Sequence, residues 1–203
     1  MNYLTAHFAL RTRGGLAGGD SVLVHGAAGG VGTAAVQVAK LYDAHVIAVV
    51  SSQAKAEVAR SAGADDVLLA TDFLDDVRAL TGGRGVDLVL DVVGTGDLVL
   101  DSLRALAPEG RLLVVGFTGG EITSVKLNRL LLNNIDVRGV SWGPYTRAHP
   151  GFARAQWDEL WPALESGALS PLVGQTRDLA DVGAALTDLA ERRSTGKSVI
   201  RLH

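Results

Sequence analysis

The run Val22-Leu-Val-His-Gly-Ala-Ala-Gly-Gly-Val-Gly32 leads from an apolar segment into a turn built around Gly26, Gly29, Gly30 and Gly32. Helical apolar spacing follows at once, with Val31, Ala35, Val38 and Ala39 on one face. A turn with few side chains lets a phosphate come close to the backbone. The helix that opens beyond it offers unpaired N–H groups and a partial positive charge. Ala28, Gly29, Gly30, Val31 and Gly32 are therefore the candidate pyrophosphate cradle, and Gly32 would also let the helix pack closely on the strand. The same glycines would suit a plain strand-to-helix turn. The strand before and the helix after are what point to a dinucleotide.

A second test lies at the end of the next strand. A site selective for NAD places a carboxylate there, on the ribose 2′-hydroxyl. Here the segment reads Val49-Val-Ser-Ser-Gln-Ala-Lys55, with no acid before Glu57. Ser51 and Ser52 can hydrogen-bond a 2′-phosphate and Lys55 can neutralise it, which favours NADPH. Ser52 would equally serve as an ordinary helix cap and Lys55 as an exposed helix residue. Arg60 stands too far down the helix to take part.

Other reactive constellations are missing. The chain has no cysteine, which removes thiol catalysis and cysteine zinc sites. His7, His25, His45, His149 and His203 never stand at metal-ligand spacing, so no metal site is expected. A Tyr-x-x-x-Lys pair is absent, because Tyr3, Tyr42 and Tyr145 are followed at that offset by His7, Val46 and His149. No residue stands out as a catalytic acid or base.

The elements that must position these residues alternate regularly. Strands are expected at 21–25, 45–50, 66–70, 86–92, 111–115 and 135–141, and helices at 31–42, 53–62, 72–80, 97–106 and 124–134. Asp72 or Thr71 should cap the helix at 72–80, and Gly82-Gly83 should end it. The strands are nearly continuous Val, Leu and Ile, so both faces should be buried beneath helices. The fold class is α/β: a Rossmann-type, doubly wound, six-stranded parallel sheet. A helix at 1–13 should lead into it. After a loop at 142–151 come a helix at 152–166, a short strand at 172–173, a helix at 179–192 and a last strand at 197–202. Residues 1–171 read as the dinucleotide-binding domain and 172–203 as a separate C-terminal return segment.

With those residues in place, the chain resembles the medium-chain dehydrogenase/reductase superfamily, and within it the zinc-independent quinone oxidoreductase branch. The likeness rests on Tyr3-Leu-Thr-Ala-His-Phe-Ala-Leu10, the glycine turn, Ala62-Gly-Ala-Asp65, Gly85-Val-Asp-Leu-Val-Leu-Asp91, Gly110-Arg-Leu-Leu-Val-Val-Gly116 and Gly196-Lys-Ser-Val-Ile200. It implies that the position matching Val50, acidic in NAD-dependent alcohol dehydrogenases, here belongs to the NADPH branch. It implies that Val93, Gly94, Gly116, Phe117, Ser141 and Trp142 line the nicotinamide pocket, with Phe117 and Trp142 equally readable as packing residues. Arg193 falls where some relatives supply a further 2′-phosphate contact. An adenine-stacking aromatic would fall near Ala70 and is absent. The family also carries a substrate domain before the segment beginning near Tyr3. The expectation is that this chain holds only that domain's C-terminal return.

The implied activity is hydride transfer from NADPH, without zinc, to a small-molecule acceptor such as a quinone or an activated C=C. The alternatives are an enoyl-reductase fragment of a fatty-acid or polyketide synthase and a non-catalytic NADPH-binding interaction module. The chain's 203 residues are 47% hydrophobic and 20% charged, with 25 glycines and a net charge of -3. The chain carries no basic tract longer than two residues, the feature that binding to nucleic acid or an anionic membrane would call for. No apolar stretch reaches the ~18 residues of a membrane span, and no signal peptide is evident. A cytoplasmic location is expected. Strand 135–141 should sit at a sheet edge, where an unpaired ladder invites a homodimer.

Overall fold

The computed structural model describes residues 1–202; of the five histidines, His203 lies outside them. The chain opens with α1 (Asn2–His7), which continues as a looser π-helical stretch, Phe8–Arg13. Six βα units follow: β1 (Ser21–His25), α2 (Gly30–Leu41), β2 (His45–Val50), α3 (Gln53–Ser61), β3 (Asp66–Leu69), α4 (Phe73–Leu80), β4 (Val86–Asp91), α5 (Gly96–Ala105), β5 (Leu106–Val114), α6 (Asn128–Asn133), β6 (Asp136–Gly139) and α7 (Trp142–Ala148). Then come α8 (Phe152–Glu165), β7 (Val173–Asp178), a 3₁₀ turn at Leu179–Asp181, α9 (Val182–Ala190) and β8 (Lys197–Arg201).

The six-stranded sheet has the order β3-β2-β1-β4-β5-β6. Every pairing in it is parallel. This is the doubly wound Rossmann arrangement, with the order reversing between β1 and β4. Two buried clusters fill its two faces. One gathers Val22, Val24, Ala35, Val38, Val46, Ala48, Leu88 and Leu90. The other gathers Leu23, Ile47, Val49, Phe73, Val77, Val89 and Leu112. Alternate residues of the same strands serve opposite clusters, so the central strands must be apolar throughout.

Several expectations needed correction. Residues 142–151 are not a loop: Trp142–Ala148 is helical despite Gly143 and Pro144. Pro144 falls in the first turn, where backbone N–H groups have no intrahelical partner, so its missing donor costs little. The helix expected at 124–134 is confined to Asn128–Asn133, because the preceding loop is pinned elsewhere, with Thr123 Oγ1 donating to the Gly94 carbonyl at 3.1 Å. Strand β5 begins five residues before the expected Arg111, and its register against β4 shifts between Val86 and Leu88. That shift accommodates Pro108, which has no N–H for a ladder, and Glu109 at φ 63. Asp72 occupies the N-cap of α4 at φ 64 but makes no side-chain cap bond. Gly82 and Gly83 do end that helix, both at positive φ.

Strands β7 and β8 form a separate parallel pair. They do not stand apart from the main sheet. Gly196 pairs with Gly29 as a parallel bridge, and its N–H donates to the Ala28 carbonyl at 2.8 Å. The C-terminal segment is thus fastened to the glycine turn itself.

Candidate functional site

A cleft of about 480 Å³ opens at the carboxyl ends of β1, β2 and β4, where the strand order reverses. Open α/β sheets bind their ligands at this place. Its floor is the glycine turn. Gly26 takes φ 63, and a Cβ there would stand 2.8 Å from Val92 Cγ2. At Gly32 a Cβ would overlap the Gly26 carbonyl oxygen and stand 2.7 Å from Ala27 Cα. Helix α2 can therefore press against the turn only because residue 32 has no side chain.

Gly29 is the N-cap of α2 and supplies no side-chain cap, and the first turn carries no acid. Thr33 N–H is the first to find an intrahelical partner, the Gly29 carbonyl at 2.9 Å. The N–H groups of Gly30, Val31 and Gly32 precede it and are left to whatever enters. Gly30 also lies against Asn2, whose Nδ2 would stand 2.6 Å from a Cβ. A side chain at 30 would require the Asn2 side chain to move aside.

At the β2 end, Val50, Ser51 and Lys55 line the cleft. Lys55 Nζ donates to Ser51 Oγ at 3.1 Å and to the Arg192 carbonyl at 2.8 Å. Glu57, the first acid after β2, pairs with Arg60 at 2.6 Å on the helix surface. Among the described residues no Asp or Glu lines the cleft beside Lys55. Ser52 caps α3 without a side-chain bond and is not part of the wall.

Two loops form the far side. Asp91, buried at the end of β4, accepts N–H bonds from Val93 at 2.7 Å and Gly94 at 3.1 Å. Burial pushes its carboxyl above the usual carboxylate range, and those two N–H groups oppose the rise. Val93 reaches the cleft wall; Gly94, at φ 74, is packed beneath Gly116 and Phe117. Gly116, Phe117 and Ser141 lie beyond this wall, with Phe117 46% exposed and Ser141 serving as the N-cap of α7. Trp142 is a packing residue: its Nε1 donates to Gln156 Oε1 at 2.7 Å.

Sequence reasoning missed four wall residues of consequence: His25, Leu98, Thr118 and Arg192. Arg193 instead pairs with Asp188 and Glu191, away from the cleft. Arg192 turns into the cleft because it takes φ 58, which reverses its direction relative to Arg193. Two adjacent arginines after a helix give no sign of which one a left-handed turn will select. His25 is fully buried, with Nε2 2.8 Å from Ser102 Oγ. Ser102 Oγ donates its own proton to the Leu98 carbonyl at 2.6 Å, so the Nε2–H of His25 is the donor to Ser102. The other ring nitrogen, Nδ1, is buried without a partner. Burial lowers the His25 pKa to about 3.

Comparison with known proteins places this geometry. The family model described as zinc-binding dehydrogenase matches residues 30–166. Quinone oxidoreductase-like protein 2 of Bos taurus is 39% identical over 206 residues, covering 100% of this chain and 58% of its own length. A mycobacterial protein, Rv1454c, solved in complex with NADPH, superposes with a TM-score of 0.90 at 35% identity, over 100% of this chain and 62% of that one. The enoyl reductase CurK superposes with a TM-score of 0.87 at 27% identity, over 100% of this chain and 60% of that one. The chain thus spans about 60% of the length of these proteins.

Proposed function

Because the chain belongs to the zinc-binding dehydrogenase family of medium-chain oxidoreductases, we propose that it is the NADPH-binding domain of an enzyme that reduces a quinone or an activated C=C. The observation that carries this reading is the pairing of two features at opposite ends of one cleft. One is the uncapped N-terminus of α2 above a bare glycine turn. The other is Lys55 beside Ser51 and Arg192, with no carboxylate in the wall. The first fits a pyrophosphate and the second a 2′-phosphate. NADPH in a homologous fold, in mycobacterial Rv1454c, supports the same choice.

When bound, NADPH supplies a hydride to the acceptor, which takes a proton from solvent to complete its reduction. The chain's part is to hold and orient. Gly30, Val31 and Gly32 donate N–H groups to the pyrophosphate. Lys55, Ser51 and Arg192 hold the 2′-phosphate. Asp91 fixes the Val93–Gly94 turn at the reactive end by accepting its two N–H groups. Such positioning is the main protein contribution in cofactor chemistry.

The proposed reaction is zinc-independent, following the likeness to the quinone oxidoreductase branch. Among the described residues no group of three or more His, Asp or Glu side chains could hold a metal ion. No helix among them is long and apolar enough to cross a membrane, and the cysteine-free chain suits the reducing cytoplasm. We further propose a homodimer formed through β6. The likeness to CurK favours a second reading, an enoyl-reductase domain, which shares the cofactor and differs in the acceptor.

Isothermal titration with NADPH and NADH tests the cofactor assignment. Tight NADPH binding with weak NADH binding is expected. Binding of neither would refute the reading, and a preference for NADH would refute the roles given to Ser51, Lys55 and Arg192.

A further inference from the structure

The C-terminal segment crosses the mouth of the cleft in one turn, between the end of α9 at Ala190 and the start of β8 at Lys197. Both ends of the turn are fixed. At one end Arg193 N–H donates to the Asp188 carbonyl at 2.8 Å. At the other, Gly196 N–H donates to the Ala28 carbonyl at 2.8 Å. Arg192 lies just before Arg193, within the loop that the bond to Asp188 closes at the end of α9, and holds a left-handed φ of 58, a conformation uncommon for a residue with a long side chain.

Arg192 is latched to both walls. Its carbonyl accepts from Lys55 Nζ at 2.8 Å on the β2 side. Its guanidinium donates to the Thr118 carbonyl at 2.8 Å on the β5–α6 loop. Thr118 is tied in turn to the residue that follows β4, its N–H and Oγ1 donating to the Val92 carbonyl at 3.3 and 3.0 Å. Lys55, Thr118, Arg192 and Ser194 all line the cleft. A single residue therefore bridges the two sides of the opening.

We propose that the turn carrying Arg192 is a gate, which opens for a dinucleotide to enter and closes over it, so that it sets the rates of cofactor entry and release. The proposal rests on the dinucleotide reading of the cleft. Both latches are exposed hydrogen bonds, so together they hold the closed form over the open one by a ratio on the order of ten to a hundred. That is enough to slow entry and not enough to forbid it. Lys55 and Arg192 each keep donors beyond those used in the latches. An anionic group within the cleft can engage those spare donors and hold the gate shut.

The test is stopped-flow measurement of NADPH binding, followed by the cofactor's fluorescence, for the full chain and for Arg192→Ala. A gate predicts that the variant associates and dissociates about ten-fold faster. An association rate that is unchanged or lower, with faster dissociation alone, would mean that Arg192 is only a phosphate ligand and would overturn the gate. Arg192→Lys keeps the charge but loses the planar fork on Thr118, and should also associate faster than the parent. Hydrogen exchange of the nucleotide-free chain gives an independent reading. The Thr118 and Gly119 amides, which donate to the Val92 and Val93 carbonyls, should exchange several-fold faster in Arg192→Ala. Unchanged exchange would also overturn the gate. Should the parent chain bind no NADPH, the cofactor assignment fails, and the exchange measurement still decides whether the latch exists.

Discussion

At the scale of single residues, charge and protonation at the cleft decide what it can hold. Lys55 is the only lysine in the wall and faces no carboxylate there. Under the proposed function, charge-assisted bonds from it to a 2′-phosphate would be worth about 1.5–3 kcal/mol. Lys55→Ala should therefore weaken NADPH binding about 10–100-fold and leave NADH binding nearly unchanged, as read by titration calorimetry. His25 makes a prediction about acid. Its pKa is about 3 in the folded chain against 6.5 when free, so the unfolded chain takes up the proton first. The stability that neutral His25 contributes is complete above pH 6.5 and is lost as the pH falls toward 3. At pH 4.5 that loss is about 3 kcal/mol. Urea titrations at pH 7.5 and 4.5 should show a drop smaller by about that amount in His25→Asn, which has no proton to gain.

At the scale of elements, the glycine turn and α2 act as one unit. The contact of α2 with the Gly26 carbonyl leaves no space for a methyl group at residue 32, and the obstacle is backbone rather than a movable side chain. Gly32→Ala should cost about 3 kcal/mol and lower Tm by about 6–12 °C, measured by thermal denaturation. Gly29→Ala is the informative contrast. A Cβ there meets only the Gly26 carbonyl at 3.4 Å, so the fold should persist at near-parent Tm. In that variant the methyl group borders the cradle itself, and weaker NADPH binding at unchanged stability would separate the turn's ligand role from its structural one.

At the scale of the whole molecule, the apolar surface is uneven. Strand β6 is a sheet edge, and Val137 on it is 40% exposed. Leu131 and Leu132 of the adjoining α6 are exposed as well. The proposed homodimer would pair two β6 edges and cover this surface. Val137→Lys should give a monomer by light scattering, because a lysine on an edge strand opposes strand pairing. A dimer that persists in this variant would move the interface elsewhere. A second uncovered face lies on α9, where Leu186 and Leu189 are 60% and 63% exposed. It flanks the cleft, with Leu189 in the cleft wall.

The sequence by itself determined the framework. Apolar runs separated by helical spacing specify buried parallel strands, since such strands must be apolar on both faces, and all six appeared within a few residues of their expected places. The need for glycine at residue 32 was legible because the atoms that crowd it, the Gly26 carbonyl and Ala27, are close by in the chain. The lack of an acid between Val50 and Glu57 was legible too, being a matter of composition. Tertiary structure alone decided the rest. Helix α7 forms across Gly143 and Pro144 while its residues pack on the π-helical stretch after α1 and on α8, through Tyr145 against Phe8 and Phe152 and Trp142 against Gln156. No local propensity records that packing. Arg192, not Arg193, faces the cleft, where its carbonyl meets Lys55 and its guanidinium the Thr118 carbonyl. Both partners lie far away in sequence, and such contacts leave no trace in residue spacing.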